Sequence, residues 1–135
     1  MNKEKIINKI SELKLDKNEF WVVGSAALVL RNILDTANDI DIAITYKQYE
    51  ELTKKQELVY LGTNHNSKWY KINDCIECCI DEMDKEKVEI SEPFNLINLE
   101  YYYNSFIKNS TREKDIEKKR LIEKEISKIW GDNND

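Results

Sequence analysis

Asp39 and Asp41 stand two positions apart in Asn38-Asp39-Ile40-Asp41-Ile42-Ala43-Ile44, where acidic and small residues alternate with isoleucines. Alternation with a period of two marks a strand, so both carboxylates project from one face, their α carbons roughly 7 Å apart. Such a pair can grip divalent cations. Hard ions such as Mg2+ or Mn2+ prefer carboxylate and phosphate oxygens, and two of them can activate a hydroxyl while steadying a departing pyrophosphate. Upstream, Gly24-Ser25 joins the apolar run Phe20-Trp21-Val22-Val23 to Ala26-Ala27-Leu28-Val29-Leu30. Glycine lets a ligand approach the backbone, amides at a helix start favour an anionic phosphate, and Ser25 adds a hydroxyl. Each half alone has an ordinary account. A Gly-Ser pair makes a turn, and Asp-Ile-Asp lines a solvated strand face. Their order carries the inference: strand, Gly-Ser turn, apolar helix, short loop, then a strand with paired acids points to phosphoryl transfer.

The elements that must hold these residues follow from periodicity. Ile6, Ile7, Ile10 and Leu13 recur at helical spacing, predicting an amphipathic helix over roughly residues 2 to 14. Residues 20 to 23 form a strand, and the helix after Ser25 reaches about Leu34. After the strand over 38 to 44, Tyr46 to Gln56 reads as helix. Leu58 to Leu61, Lys68 to Ile72 and Cys75 to Ile80 read as further strands, the last two joined at Asn73-Asp74, in a mostly antiparallel extension. Asn95 to Ile107 is predicted as a helix despite the low propensity of Tyr101-Tyr102-Tyr103. Ser110 three residues before Glu113 has the form of a capping box for a last helix to about Ile129. The fold class expected is α/β (α+β), a small mixed sheet with flanking helices. One domain over residues 1 to 130 is expected, followed by a frayed acidic tail at 131 to 135.

Bulk properties narrow the partners. The chain has 135 residues, 41% of them apolar, and a net charge of -5. An acidic balance opposes broad capture of nucleic acid, which needs Lys and Arg to displace counterions, so a polyanionic ligand must bind locally. No run of 18 or more apolar residues occurs and the N-terminus lacks a signal-peptide core, so a soluble, cytoplasmic protein is expected. Cys75, Cys78 and Cys79 with His65 offer a conceivable zinc set, but strand alternation points Cys78 away from the other two, and small buried hydrophobes are the better account. His65 reads as an exposed loop residue, and the tyrosine triplet as mainly core.

Val23-Gly24-Ser25-Ala26-Ala27-Leu28 through Asn38-Asp39-Ile40-Asp41-Ile42 resembles the signature of the nucleotidyltransferase superfamily, whose fold is similar to the palm of DNA polymerase beta. Arg112-Glu113-Lys114-Asp115-Ile116 resembles an Arg-x-Lys-Asp element at the start of a late helix, found in a small bacterial branch that includes AbiEii-type toxins and lincosamide nucleotidyltransferases. The resemblance spans roughly residues 20 to 120. It implies that Asp39 and Asp41 bind Mg2+ or Mn2+, that Gly24 and Ser25 hold a nucleotide triphosphate, and that a basic residue, Lys114 or Arg112, faces the phosphates. On a charged helix, those two can equally pair with neighbouring acids. Family members of this type take a third carboxylate from a strand beside the paired aspartates. Glu77 is the internal acid of the 75 to 80 strand, and alternation turns Cys75, Glu77 and Cys79 toward the cleft, whereas Asp74 and Asp81 fall at a turn and a strand end.

Two classes of function remain open. One is an enzyme moving a nucleoside monophosphate from a nucleotide triphosphate to an acceptor hydroxyl on a small molecule, a tRNA or a protein. The other is a regulatory nucleotide-binding module, such as a toxin-antitoxin component, that keeps the fold without turnover. A chain this short leaves few elements to enclose an acceptor, so a homodimer or a partner chain is expected.

Overall fold

The computed structural model describes residues 1–133, with side chains described through Ile129. Seven strands form one mixed sheet in the order β3-β4-β5-β2-β1-β7-β6. Its centre comes from β1 (Phe20–Val23) and β2 (Ile40–Ile44), paired antiparallel, with β5 (Ile76–Ile80) parallel to β2. β1 is an unbroken apolar run because both faces are covered: Phe20, Trp21 and Val22 are all buried. β2 alternates instead, with Ile40, Ile42 and Ile44 fully buried on one face and Asp41 half-buried on the other. The isoleucine face belongs to the core formed with α1 (Lys3–Ser11), α2 (Gly24–Leu30) and α3 (Tyr46–Lys55).

Local chemistry fixes the helix starts. Asn2 accepts from the Lys5 amide at 2.9 Å to cap α1, and Thr45 accepts from Gln48 at 3.3 Å to cap α3. α2 ends at Leu30, earlier than expected, where Arg31 turns to bond the Ile97 carbonyl at 2.9 Å and pairs with Glu89. The outer strands β3 (Val59–Asn64) and β4 (Ser67–Lys71) form a hairpin whose turn residues, His65 and Asn66, both have positive φ. Asn73 makes the next turn by accepting from the amides of Cys75 and Ile76.

The segment expected as one helix over 95 to 107 is built otherwise. Leu96 and Ile97 form β7, which pairs with the two-residue strand β6 (Val88–Glu89) and with β1. Only then does Asn98 cap α4 (Leu99–Tyr102), which runs into a π-helical segment, Tyr103–Ile107. Ser110 does not close a capping box on Glu113 either; its hydroxyl donates to Asp115 Oδ2 at 2.6 Å. α5 (Glu113–Asn133) continues past Ile129 into the expected tail, whose last residues, Asn134 and Asp135, lie outside the described residues. No helix among the described residues is long and apolar enough to cross a membrane.

Candidate active site

The sheet face opposite the isoleucines forms the floor of a cleft of about 1080 Å³. Two cross-strand rows run over this sheet face, and Val23, Asp41, Trp21, Ala43, Cys79 and Trp69 of them line the cleft. Val23, Asp41, Glu77 and Lys71 lie in register across β1, β2, β5 and β4, and Trp21, Ala43, Cys79 and Trp69 form the row beside it. The far wall comes from the π segment and the first turns of α5.

Gly24 has φ +62°, and a Cβ built on it would lie 3.3 Å from Asp41 Oδ2. The turn and the acid strand are therefore packed against each other, which a glycine alone permits without strain. Ser25 and Asp39 line the same cleft, Asp39 being exposed at the entry to β2. The Asp41 carboxyl is pushed up from 3.8 to about 6, first by its own desolvation, then by the negative charges of Glu77 and Asp39, with Lys118 pulling the other way. Glu77 is not among the cleft-wall residues; it stands half-buried beside Asp41 on the next strand. Among the described residues no group of three His, Cys, Asp or Glu side chains is close enough to hold an ion by itself.

Of the late basic residues, Lys114 lines the cleft and is exposed, and Arg112 also lines it, with Nε 3.7 Å from Asp115 Oδ2. Asp115 is 5% exposed and gathers three partners: the Ser110 hydroxyl, Arg112 and Lys118, whose Nζ lies 3.7 Å away. Sequence reasoning missed Lys118. Its spacing of three from Asp115 is the available signal, while its approach to Asp41 comes from another element and leaves no local trace.

The remaining acids separate clearly. Asp74 is almost fully exposed and pairs with Lys71 at 3.3 Å. Asp81, just past the end of β5, is two-thirds buried, lines the cleft and pairs with Lys87 at 3.5 Å. The cysteines are free, and burial pushes the Cys78 and Cys79 thiols to about 12, so they behave as apolar filling. His65 is exposed at the hairpin tip, its ring edge-on to Phe106 with centroids 4.8 Å apart, and it lines the cleft.

No family model matches the chain, and no curated protein matches it. Among solved structures, the crystal structure of ANT(2")-Ia, an aminoglycoside nucleotidyltransferase, in complex with adenylyl-2"-tobramycin resembles this fold. The TM-score is 0.57 at 18% identity, over 91% of this chain and 86% of that one. The architecture, an α+β fold with a seven-stranded mixed sheet and flanking helices, is that of a nucleotidyltransferase fold.

Proposed function

We propose that the protein is a metal-dependent nucleotidyltransferase, moving a nucleoside monophosphate from a nucleotide triphosphate to an acceptor hydroxyl. The observation that supports this reading best is the close packing of the Gly24 turn against Asp41, which sets the proposed phosphate-binding turn beside the acidic strand. Asp39 and Asp41 would hold Mg2+ or Mn2+, with Glu77 as third carboxylate. The cation supplies Lewis-acid stabilisation of the phosphate oxygens. Gly24 and Ser25 would receive the triphosphate, and Arg112 and Lys114 would face it from α5. The acceptor oxygen bonds to the α-phosphorus, the bond from that phosphorus to the bridging oxygen breaks, pyrophosphate leaves, and the acceptor proton passes to solvent. The Arg112-Glu113-Lys114-Asp115 element supports assignment to the branch of AbiEii-type toxins and lincosamide nucleotidyltransferases. One observation favours binding without turnover: the carboxylates are not gathered into a ready three-ligand set among the described residues.

Incubation with Mn2+ or Mg2+, α-labelled nucleotide triphosphates and small-molecule, tRNA or protein acceptors is expected to release pyrophosphate and label one acceptor. Tight, metal-dependent nucleotide binding without pyrophosphate release would select the regulatory reading instead. In the same assay Glu77→Gln is expected to lower the rate by about 10-fold or more, as loss of groups supporting a metal site typically does. An unchanged rate would remove Glu77 from the site.

We also propose a second chain, a homodimer or a partner, that completes the acceptor side. Supporting this, β3 is an edge strand with Val59, Tyr60 and Leu61 about half exposed. A sedimenting monomer fully active on its acceptor would exclude it.

A further inference from the structure

Three consecutive tyrosines at the α4–π junction do three different things. Tyr103 donates its hydroxyl to Glu123 Oε1 of α5 at 2.7 Å. Tyr101 is a half-buried part of the cleft wall. Tyr102 is 7% exposed, its ring packed in the core with the Phe106 ring 5.9 Å away, and it too lines the cleft. Buried phenols usually spend their hydroxyl on a partner, because leaving a polar group desolvated and unbonded is costly. Among the described residues the Tyr102 hydroxyl bonds to no protein group, and it is not sealed off: the ring is buried while the oxygen still reaches solvent on the cleft side.

Its surroundings say what it is suited to meet. Burial first, and then the carboxylates of Asp115 and Asp41 against the opposing Arg112 guanidinium, hold the phenol proton well above its ordinary range. Like any tyrosine, Tyr102 is a neutral donor at neutral pH. A phosphate oxygen only accepts, and it matches a donor that keeps its proton better than a hydroxyl does. The cleft wall here also carries Arg112 and Lys118, each paired with Asp115, as cations that a phosphate in the cleft could meet.

We propose that the Tyr102 hydroxyl is a ligand-binding group that donates a hydrogen bond to a phosphate oxygen of the nucleotide bound against Asp41. This assignment rests on the nucleotide-transfer reading above. The ring fills the core while the oxygen serves the ligand, so one residue joins the π segment's packing to the site. π-helical segments recur at functional sites, where they re-aim a side chain.

The test is Tyr102→Phe, which removes one oxygen and keeps the ring, with Tyr103→Phe as control. Affinities are measured with Mn2+ for a non-hydrolysable nucleotide triphosphate and for inorganic tripolyphosphate, alongside melting temperatures. Tyr102→Phe is expected to weaken both ligands by about 10-fold, as loss of a hydrogen bond to a charged group does, at an unchanged melting temperature. Tyr103→Phe is expected to leave both affinities as they are. Equal affinities in wild type and Tyr102→Phe would overturn the inference and leave the transfer reading intact. Weakening confined to the nucleotide would move the contact to sugar or base and overturn the phosphate assignment. A lowered melting temperature accompanying the loss would mark a structural role and overturn it. A wild type that binds neither ligand would remove the transfer reading, and this inference with it.

Discussion

Replacing Asp41 by Asn is expected to abolish metal-dependent transfer while making the cation-free protein more stable at neutral pH. Burial and the charges of Glu77 and Asp39 raise the Asp41 carboxyl from 3.8 to about 6. An acid whose proton affinity rises on folding holds more protons folded than unfolded. Its contribution is therefore fully present below about pH 4 and is lost as pH rises through about 6. A shift of about two units corresponds to roughly 3 kcal/mol by pH 8. Asparagine has no charge to desolvate, so chemical denaturation in chelator is expected to show wild-type stability declining from pH 4.5 to 8 relative to the variant. The gap at pH 8 should be on the order of 2–3 kcal/mol. Mn2+ should close it by stabilising the wild type alone, since a ligand stabilises only the state that binds it. Asp39→Asn is expected to lose transfer without a comparable gain, because Asp39 is exposed. An Asp41→Asn protein less stable than wild type at pH 8 would contradict this account of the site.

The second large effect is expected from Gly24→Val. The φ of +62° puts a branched residue in the left-handed region, at a cost of about 1–2 kcal/mol or more, and its Cβ would meet Asp41 Oδ2 at 3.3 Å. The space taken is the space proposed for phosphate, so nucleotide affinity should fall below detection while the fold persists with a lower melting temperature. Ser25→Ala removes one hydroxyl from a half-buried position and is expected to cost about 10-fold in affinity at most. Isothermal titration with Mn2+ and a non-hydrolysable triphosphate checks both. Wild-type affinity in a folded Gly24→Val protein would take the triphosphate away from this turn.

What the sequence made legible was local. β1, the Gly24 turn, α2 and β2 could be read because period-two alternation and an apolar helix lie next to each other in the chain. The alternation in β5 could be read for the same reason, and the register sets Glu77 beside Asp41. Residues 95 to 107 could not. Leu96-Ile97 is a strand only because Val88-Glu89 and β1 flank it, and two-residue strands carry no period of their own. Ser110 has the spacing of a cap but a better partner in Asp115, a competition that local pattern does not display. Lys118 and Tyr102 line the cleft of Asp41 from other elements, so their relation to it exists only in the folded arrangement.

The parallel seam between β2 and β5 bears on how the molecule assembles. β1 with β2 and β3 with β4 are antiparallel neighbours that need only short closures, whereas β5 reaches β2 after the chain has passed through α3 and the whole outer hairpin. Non-local parallel pairings demand the larger loop-closure entropy and slow a folding reaction. Here this pairing is also the one that brings Glu77 against Asp41, which is largely removed from water in the folded sheet. Conformational search and charge repulsion thus meet at one junction, which the buried Ile40, Ile42, Ile44, Ile76 and Cys78 hold together. A cation bridging that junction would act as a clasp at the centre of the sheet, so the carboxylates that repel one another as it closes would, once loaded, hold it shut.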